Sequence, residues 1–341
     1  MDTVIHVLLL NLAITLSLLI LALVFGGPKK ITPLASLNTP FKSVDLSDLP
    51  QLQRYTARDK TELAYRIYTG RLPQHPGSLV LIHGSSANGK SLHPMAVELA
   101  KAGYTCYTLD IRGHGESGRK GTIAYIGQLE DDLEDFLQAI QPQAPRTLAG
   151  FSAGGGFALR FAADRRQRAF DRYLLLAPFI HHNAPTKQPA HGGVVSIGLP
   201  RSIALVILNK LGITVFNQLP TSAFALTPEA QALLTPSYSY NLMQNFRPND
   251  NYQADIRAAG QAIKVLVGAD DEAFRAGEFA GIFAKAGRGV PVTLVANTNH
   301  IGLTLQAQGI SAIVSALDAW LPASPDGMTI DTGADVVVSP A

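Results

Sequence analysis

Apolar and polar positions divide the 341-residue chain into three regimes. Residues 4–25 are almost continuously apolar, broken only by His6, Asn11, Thr15 and Ser17. Such a run, at about 1.5 Å rise per residue, is long enough to cross a hydrocarbon core. From about residue 51 short apolar runs, each ending at a turn signal, alternate with stretches of helical period. This alternation predicts a mostly parallel sheet covered by helices on both faces. Between about 181 and 255 it stops, for far longer than an ordinary connection lasts. It then resumes and ends near 321.

Within the alternating regime, 52–56 and 62–68 read as an opening hairpin. Strands follow at 78–82, 104–109, 146–151 and 172–176, with helices at 91–102, 129–140 and 153–163. After the interruption come a strand at 262–267, a helix near 275–285, a strand at 291–295 and a last helix at 306–321. The organisation expected is therefore an anchor at 1–25, a linker at 26–50, an α/β core at 51–180 and 256–321, an insertion at 181–255, and a tail at 322–341. Pro28, Pro33, Pro40 and Pro50 mark the linker. No internal repeat is visible.

Composition narrows the function. With 47% hydrophobic and 16% charged residues, wholesale disorder is excluded. The net charge is +2, with no Lys/Arg cluster of the kind a nucleic-acid binder carries, so no nucleic-acid partner is expected. The densest group, Arg165-Arg166-Gln167-Arg168, falls where a helix should end and its dipole favours cations. Cys106 is the only cysteine and lies in an apolar strand, which removes intrachain disulfides and thiolate metal clusters and predicts an inert thiol. The three residues before the apolar run carry no base and no cleavage site is clear, so a retained anchor is expected rather than a secretory leader. Lys29 and Lys30 follow it, which by the positive-inside rule keeps the bulk of the chain cytoplasmic.

Chemistry enters at Gly150-Phe151-Ser152-Ala153-Gly154, a G-x-S-x-G pentapeptide between a predicted strand and a predicted helix. It resembles the nucleophile elbow of α/β-hydrolases, in which serine sits on a strained strand-to-helix turn. A serine hydroxyl needs a base, and the elbow's fold orders the triad as serine, acid, histidine. His181, His182, His191 and His300 follow Ser152, and the first three lie in the insertion. His300 hangs in the loop after the last strand, where a base must hang to reach the elbow. The acid should follow the preceding strand, where Asp270, Asp271 and Glu272 stand in a row, and position alone leaves Asp270 and Asp271 open. Two backbone N–H groups should stabilise the oxyanion, that of Ala153 and, from the loop His83-Gly84-Ser85-Ser86, that of Ser85. His83 itself is read as a loop-packing residue. His181, His182 and His191 do not make a convincing metal site: no thiolates and no H-E-x-x-H accompany them, so neither metal nor cofactor is expected.

With those residues in place, residues 54–321 resemble the monoacylglycerol lipase/lysophospholipase branch of the α/β-hydrolases, a serine aminopeptidase-like group. Asp110-Ile-Arg-Gly-His-Gly-Glu-Ser117 is similar to its D-x-R-G-H-G-x-S loop, His83-Gly84 to its oxyanion motif, and Gly268-Ala-Asp-Asp271 to its acid turn. The resemblance implies Asp271 as the acid, a structural role for His114, a helical cap inserted after the sixth strand, and hydrolysis of lipid-like acyl esters through an acyl-serine. The cap run from Pro200 to Leu211, with Val215, Phe216, Leu219, Phe224 and Leu226 beyond it, would line an acyl tunnel, dip into a bilayer or form ordinary core; apolar periodicity does not separate these. The anchor is the departure from most soluble relatives, and favours a membrane-derived substrate. The same triad serves an aminopeptidase, an amidase or an acyltransferase, and a hydrolase-fold binding protein without activity is the alternative of another class.

Overall fold

The computed structural model describes residues 2–33, 44–70, 76–188 and 195–321. The tail at 322–341, part of the linker and His191 lie outside them. Helix α1 (Asp2–Phe25) leads into the hairpin β1 (Gln53–Thr56) and β2 (Glu62–Tyr68). Then follow β3 (Ser78–Ile82), α2 (His93–Lys101), β4 (Thr105–Leu109), α3 (Gln128–Ile140), β5 (Arg146–Phe151), α4 (Ala153–Ala162) and β6 (Arg172–Leu176). The insertion contributes β7 (Val195–Ile197), α5 (Leu199–Lys210), β8 (Pro220–Phe224), α6 (Pro228–Leu233), β9 (Ser237–Ser239), α7 (Tyr240–Asn245) and α8 (Tyr252–Ala258). The core resumes with β10 (Ala262–Gly268), α9 (Phe279–Lys285), β11 (Val292–Val295), α10 (Gly302–Leu305) and α11 (Ala307–Asp318).

Among the described residues, eight strands form one sheet in the order β1-β2-β4-β3-β5-β6-β10-β11. β2 pairs antiparallel with both β1 and β4, and the remaining pairings are parallel. Burial explains the apolar runs: β3 is buried at every position, and β5 and β6 at all but their first residue, as strands covered on both faces must be. Phe136, Phe157, Phe161, Phe170 and Phe279 fill the two helix–sheet layers. Cys106 is fully buried and burial pushes its thiol pKa up, which makes it inert as expected.

Several boundaries shift by a residue or two. The helix expected from 91 begins instead as a 3₁₀ turn, Gly89–Leu92, capped by the Asn88 side chain, and turns α-helical only at His93, before Pro94. The larger difference lies in the insertion. It is not purely helical, because β7, β8 and β9 pair as a three-stranded antiparallel sheet. These strands are three to five residues long, too short for a periodic signal, and their pairing partners are distant in sequence.

Candidate active site

β5 lies between β3 and β6 near the middle of the sheet, and its carboxyl end carries Ser152. Ser152 has φ 55° and ψ −116°, a conformation that costs a side-chain-bearing residue roughly 1–3 kcal/mol. Neighbouring backbone holds it there. Its N–H donates to the Leu176 carbonyl at 2.9 Å, and its carbonyl accepts from the Phe179 N–H at 2.9 Å and the Gly156 N–H at 3.0 Å. The turn is possible only because α4 passes close to β3: a Cβ on Gly154 would stand 2.4 Å from the His83 carbonyl oxygen and 2.5 Å from that of Ile82. The glycine two positions after the serine is therefore a packing requirement.

The loops after β10 and β11 bring the other expected residues to this edge. His300 Nε2 lies 3.1 Å from Ser152 Oγ, and His300 Nδ1 lies 2.8 Å from Asp271 Oδ2. A proton on Nδ1 directed at the carboxylate leaves Nε2 as the acceptor facing the hydroxyl. The other carboxylate oxygen, Oδ1, accepts from the Ala273 and Phe274 N–H groups, both at 2.8 Å, so Asp271 cannot rotate freely. Asp270, one residue earlier, is exposed. His300 is 9% exposed, and its imidazole packs against Phe151 at 4.8 Å and Phe274 at 5.2 Å between ring centroids. Glu272 accepts from the His300 N–H at 2.9 Å and ties the two loops together.

Ala153 is the first residue of α4, so its N–H has no carbonyl to bond within the helix and faces the elbow. Ser85 follows Gly84, where a Cβ would lie 3.4 Å from Ser152 Cβ, and Ser85 lines the same cavity as Ser152. Its loop is stitched to the insertion. Ser86, in the left-handed region at φ 65°, donates its N–H to the Tyr238 hydroxyl and its Oγ–H to the Thr235 carbonyl at 2.7 Å. The Ser86 carbonyl in turn accepts from the Thr235 N–H at 2.8 Å. Tyr238 Oη lies 2.7 Å from His114 Nε2, and His114 packs on His83 at 4.8 Å. Burial holds both imidazoles below their ordinary pKa, so they are neutral scaffolding.

The Asp110–Ser117 loop has a structural role. Asp110 accepts from the Gly89 and Glu116 N–H groups, and Arg112 forks onto Asp132 and Asp59. Burial pushes the Asp132 carboxyl up to about 6 despite the guanidinium beside it. Tyr238 and Glu272 are the site residues that sequence reasoning missed. Tyr238 sits in a Ser/Tyr-rich run without periodicity, and Glu272 is one carboxylate among three. His181 and His182 stack at 3.9 Å on the cavity wall, and among the described residues no His/Cys/Asp/Glu group is arranged to hold a metal ion.

A cavity of about 1770 Å³ opens above Ser152 and His300. Its floor is the elbow and the loop Gly84–Ser86; its far wall is the insertion, through Leu199, Ile203, Val206, Ile207, Phe224 and Leu226.

Residues 73–222 match the family model described as Serine aminopeptidase, S33. A monoacylglycerol lipase of Mycolicibacterium smegmatis is 32% identical over 124 residues, 35% of this chain and 40% of that protein. The chain matches about two-fifths of the length of the curated relatives it resembles. Among solved structures, a soluble variant of monoglyceride lipase from Saccharomyces cerevisiae aligns with TM-score 0.58 at 18% identity, over 80% of this chain and 94% of that one. A membrane phospholipase A aligns with TM-score 0.53 at 17% identity, over 94% of this chain and 98% of that one. The sheet order, the elbow and these likenesses define the fold: the chain adopts the α/β-hydrolase fold. In sequence it is similar to the monoacylglycerol lipase branch of that fold.

Proposed function

We propose that the protein is a membrane-anchored serine hydrolase that cleaves carboxylic esters of the monoacylglycerol or lysophospholipid kind. The observation that carries this reading is the relay Ser152–His300–Asp271, with contacts of 3.1 and 2.8 Å, beneath a cavity whose far wall is aliphatic.

Ser152 Oγ attacks the ester carbonyl while His300 Nε2 takes its proton, and Asp271 stabilises the imidazolium that forms. The oxyanion is held by the N–H groups of Ala153 and Ser85, each worth roughly 3–4 kcal/mol in such a site. His300 returns the proton to the leaving alcohol oxygen, leaving an acyl-Ser152 ester. A water then attacks the acyl carbon, with His300 again as base, and the fatty acid departs. No metal or cofactor has a role in these steps. The apolar helix α1 serves as the anchor, being 24 residues long with no buried residue. Lys29 and Lys30 favour a cytoplasmic catalytic domain.

The test is acyl-ester turnover and labelling by a fluorophosphonate probe in the wild type and in Ser152→Ala. Loss of both in the variant is expected; unchanged labelling overturns the assignment. Rates on p-nitrophenyl esters of increasing chain length, set against aminoacyl anilides, separate a lipid esterase from a peptidase or amidase. Faster cleavage of the anilides would overturn the ester reading.

A further inference from the structure

The last turns of α1 differ from the rest of that helix. Its residues are exposed through four turns, and then Leu19, Ala22 and Leu23, on one helical face, become half-buried. They do so against α5 of the insertion, and the joint is specific. Arg201 Nε donates to the Leu23 carbonyl at 2.8 Å, Nη2 to the Val24 carbonyl at 2.9 Å, and its backbone N–H to the Gly26 carbonyl at 3.2 Å. These carbonyls are among those a helix leaves without partners at its C-terminal end, and a cation there also complements the dipole. Nη1 donates to the Pro220 carbonyl at 2.8 Å, so one buried guanidinium joins α1, α5 and β8. The Lys29 N–H donates to Ser196 Oγ on β7. Gly198 lets the chains touch, since a Cβ on it would stand 2.6 Å from the Gly27 carbonyl carbon. A leader destined for removal has no need of such a socket.

Beyond this joint the insertion shows an unusual surface. In α5, Arg201, Ala204, Leu205 and Leu208 face inward at helical spacing. The opposite face is also aliphatic: Leu199, Ile203, Val206 and Ile207 are exposed, followed by Leu211 and Val215. A helix apolar all round in a water-exposed position is unfavourable unless something else covers its outer face. The four exposed residues of α5 also line the cavity, so its aliphatic end opens on this face.

We infer that Arg201 fastens the membrane helix to the insertion so that the outer face of α5 and the loop after it lie against the bilayer holding α1, with the cavity opening onto that bilayer. The occupant is a lipid surface because the exposed aliphatic face continues directly from a spanning helix locked to the same element. This rests on the anchored-hydrolase reading for what passes through the opening; the docking itself does not require that chemistry.

The test uses the full-length chain in phosphatidylcholine/phosphatidylglycerol vesicles. Cys106 is buried, so a thiol-reactive fluorophore on Val215→Cys labels one site. Acyl chains brominated near the headgroup are expected to quench that label at least twofold. The same label on Gln143→Cys, exposed before β5 at the opposite edge of the sheet, should not respond. Arg201→Ala should lose most of the quenching at 215. It should also cut hydrolysis of long-chain monoacylglycerol in vesicles about tenfold, with p-nitrophenyl butyrate turnover within twofold of wild type. Gly198→Ala opens the same joint and serves if Arg201→Ala does not fold. An unquenched label at 215 in otherwise wild-type protein overturns the proposal, as do variants with unchanged quenching and vesicle activity. A wild type that fails to hydrolyse p-nitrophenyl butyrate would end the esterase reading, while the quenching result would still decide the docking.

Discussion

The floor of the cavity and its far wall are held in different ways. At the floor, Ser152 and the Asp271 carboxylate are tied by hydrogen bonds to backbone groups, and the His300 ring is held between Phe151 and Phe274. At the far wall, aliphatic side chains of the insertion stand half in solvent, joined to the core by a few polar stitches and to α1 by Arg201. Bond-making requires geometry fixed to a fraction of an ångström, which a buried sheet edge supplies. On the proposed function, accommodating an acyl chain would require apolar area more than exact placement, and a short three-stranded sheet with helices would provide that. Tyr238 belongs to both regions, since its hydroxyl ties the insertion to the loop that carries Ser85.

The comparison would break first at the floor. Asp271→Asn should lower kcat about 10⁴-fold with little change in global stability, because the imidazole loses both its orientation and its counter-charge; steady-state kinetics beside a denaturant curve checks this. Gly154→Ala should cost at least about 2–3 kcal/mol of stability, because the added methyl meets two backbone carbonyls of β3 and its loop. A wild-type unfolding midpoint would show that the elbow tolerates repacking. At the boundary, Tyr238→Phe should lower kcat roughly ten- to a hundredfold with KM nearly constant, through a displaced oxyanion donor. A change confined to KM would place Tyr238 with the far wall instead.

Acid should act on stability more gently. Burial and the neighbouring cations hold His181 down to about 4, and burial also lowers His83 and His114. For a histidine whose folded pKa lies below its unfolded value, the unfolded chain takes up the proton first. The stabilisation is thus complete above about 6.5 and is lost as pH falls through the folded value, on the order of 1–3 kcal/mol for His181. Asp132, raised to about 6, contributes with the opposite sign, since its folded form keeps a proton that the unfolded chain releases. With His182, which burial also lowers, four histidines against one raised carboxylate predict a lower Tm at pH 5 than at pH 7.5, and His181→Gln should flatten that slope. The smallest effect is expected at Asp270→Asn, within about twofold in kcat, since that carboxylate is exposed while Asp271 is the one that meets the His300 imidazole.

Much of the core was legible because its signals are local. A strand buried on both faces must be an apolar run, which fixed β3, β5, β6 and β10 within a residue or two. A serine on a strained strand-to-helix turn needs glycine two residues on, so the elbow is written in five consecutive positions. Chain order and the loop after β11 singled out His300. Position alone left Asp270 and Asp271 open, since neighbouring loop residues differ only in the direction the backbone turns. Family spacing favoured Asp271, and the fold supplies a reason: a Cβ on Gly268 would stand 2.1 Å from the Thr298 carbonyl oxygen, so glycine is needed where the two loops cross.

What the sequence by itself determined, then, is whatever depends on burial period and on short-range backbone strain: the alternating core, the elbow, and an N-terminal helix long and apolar enough to cross a membrane. Only the tertiary structure decided which carboxylate meets the imidazole, that Tyr238 braces the loop carrying Ser85, that the insertion pairs three short strands, and that Arg201 closes the end of the N-terminal helix. Each of these joins residues distant along the chain through one or a few directional contacts. A single hydrogen bond leaves no period in the sequence, so its partner is identified only once the chain has folded.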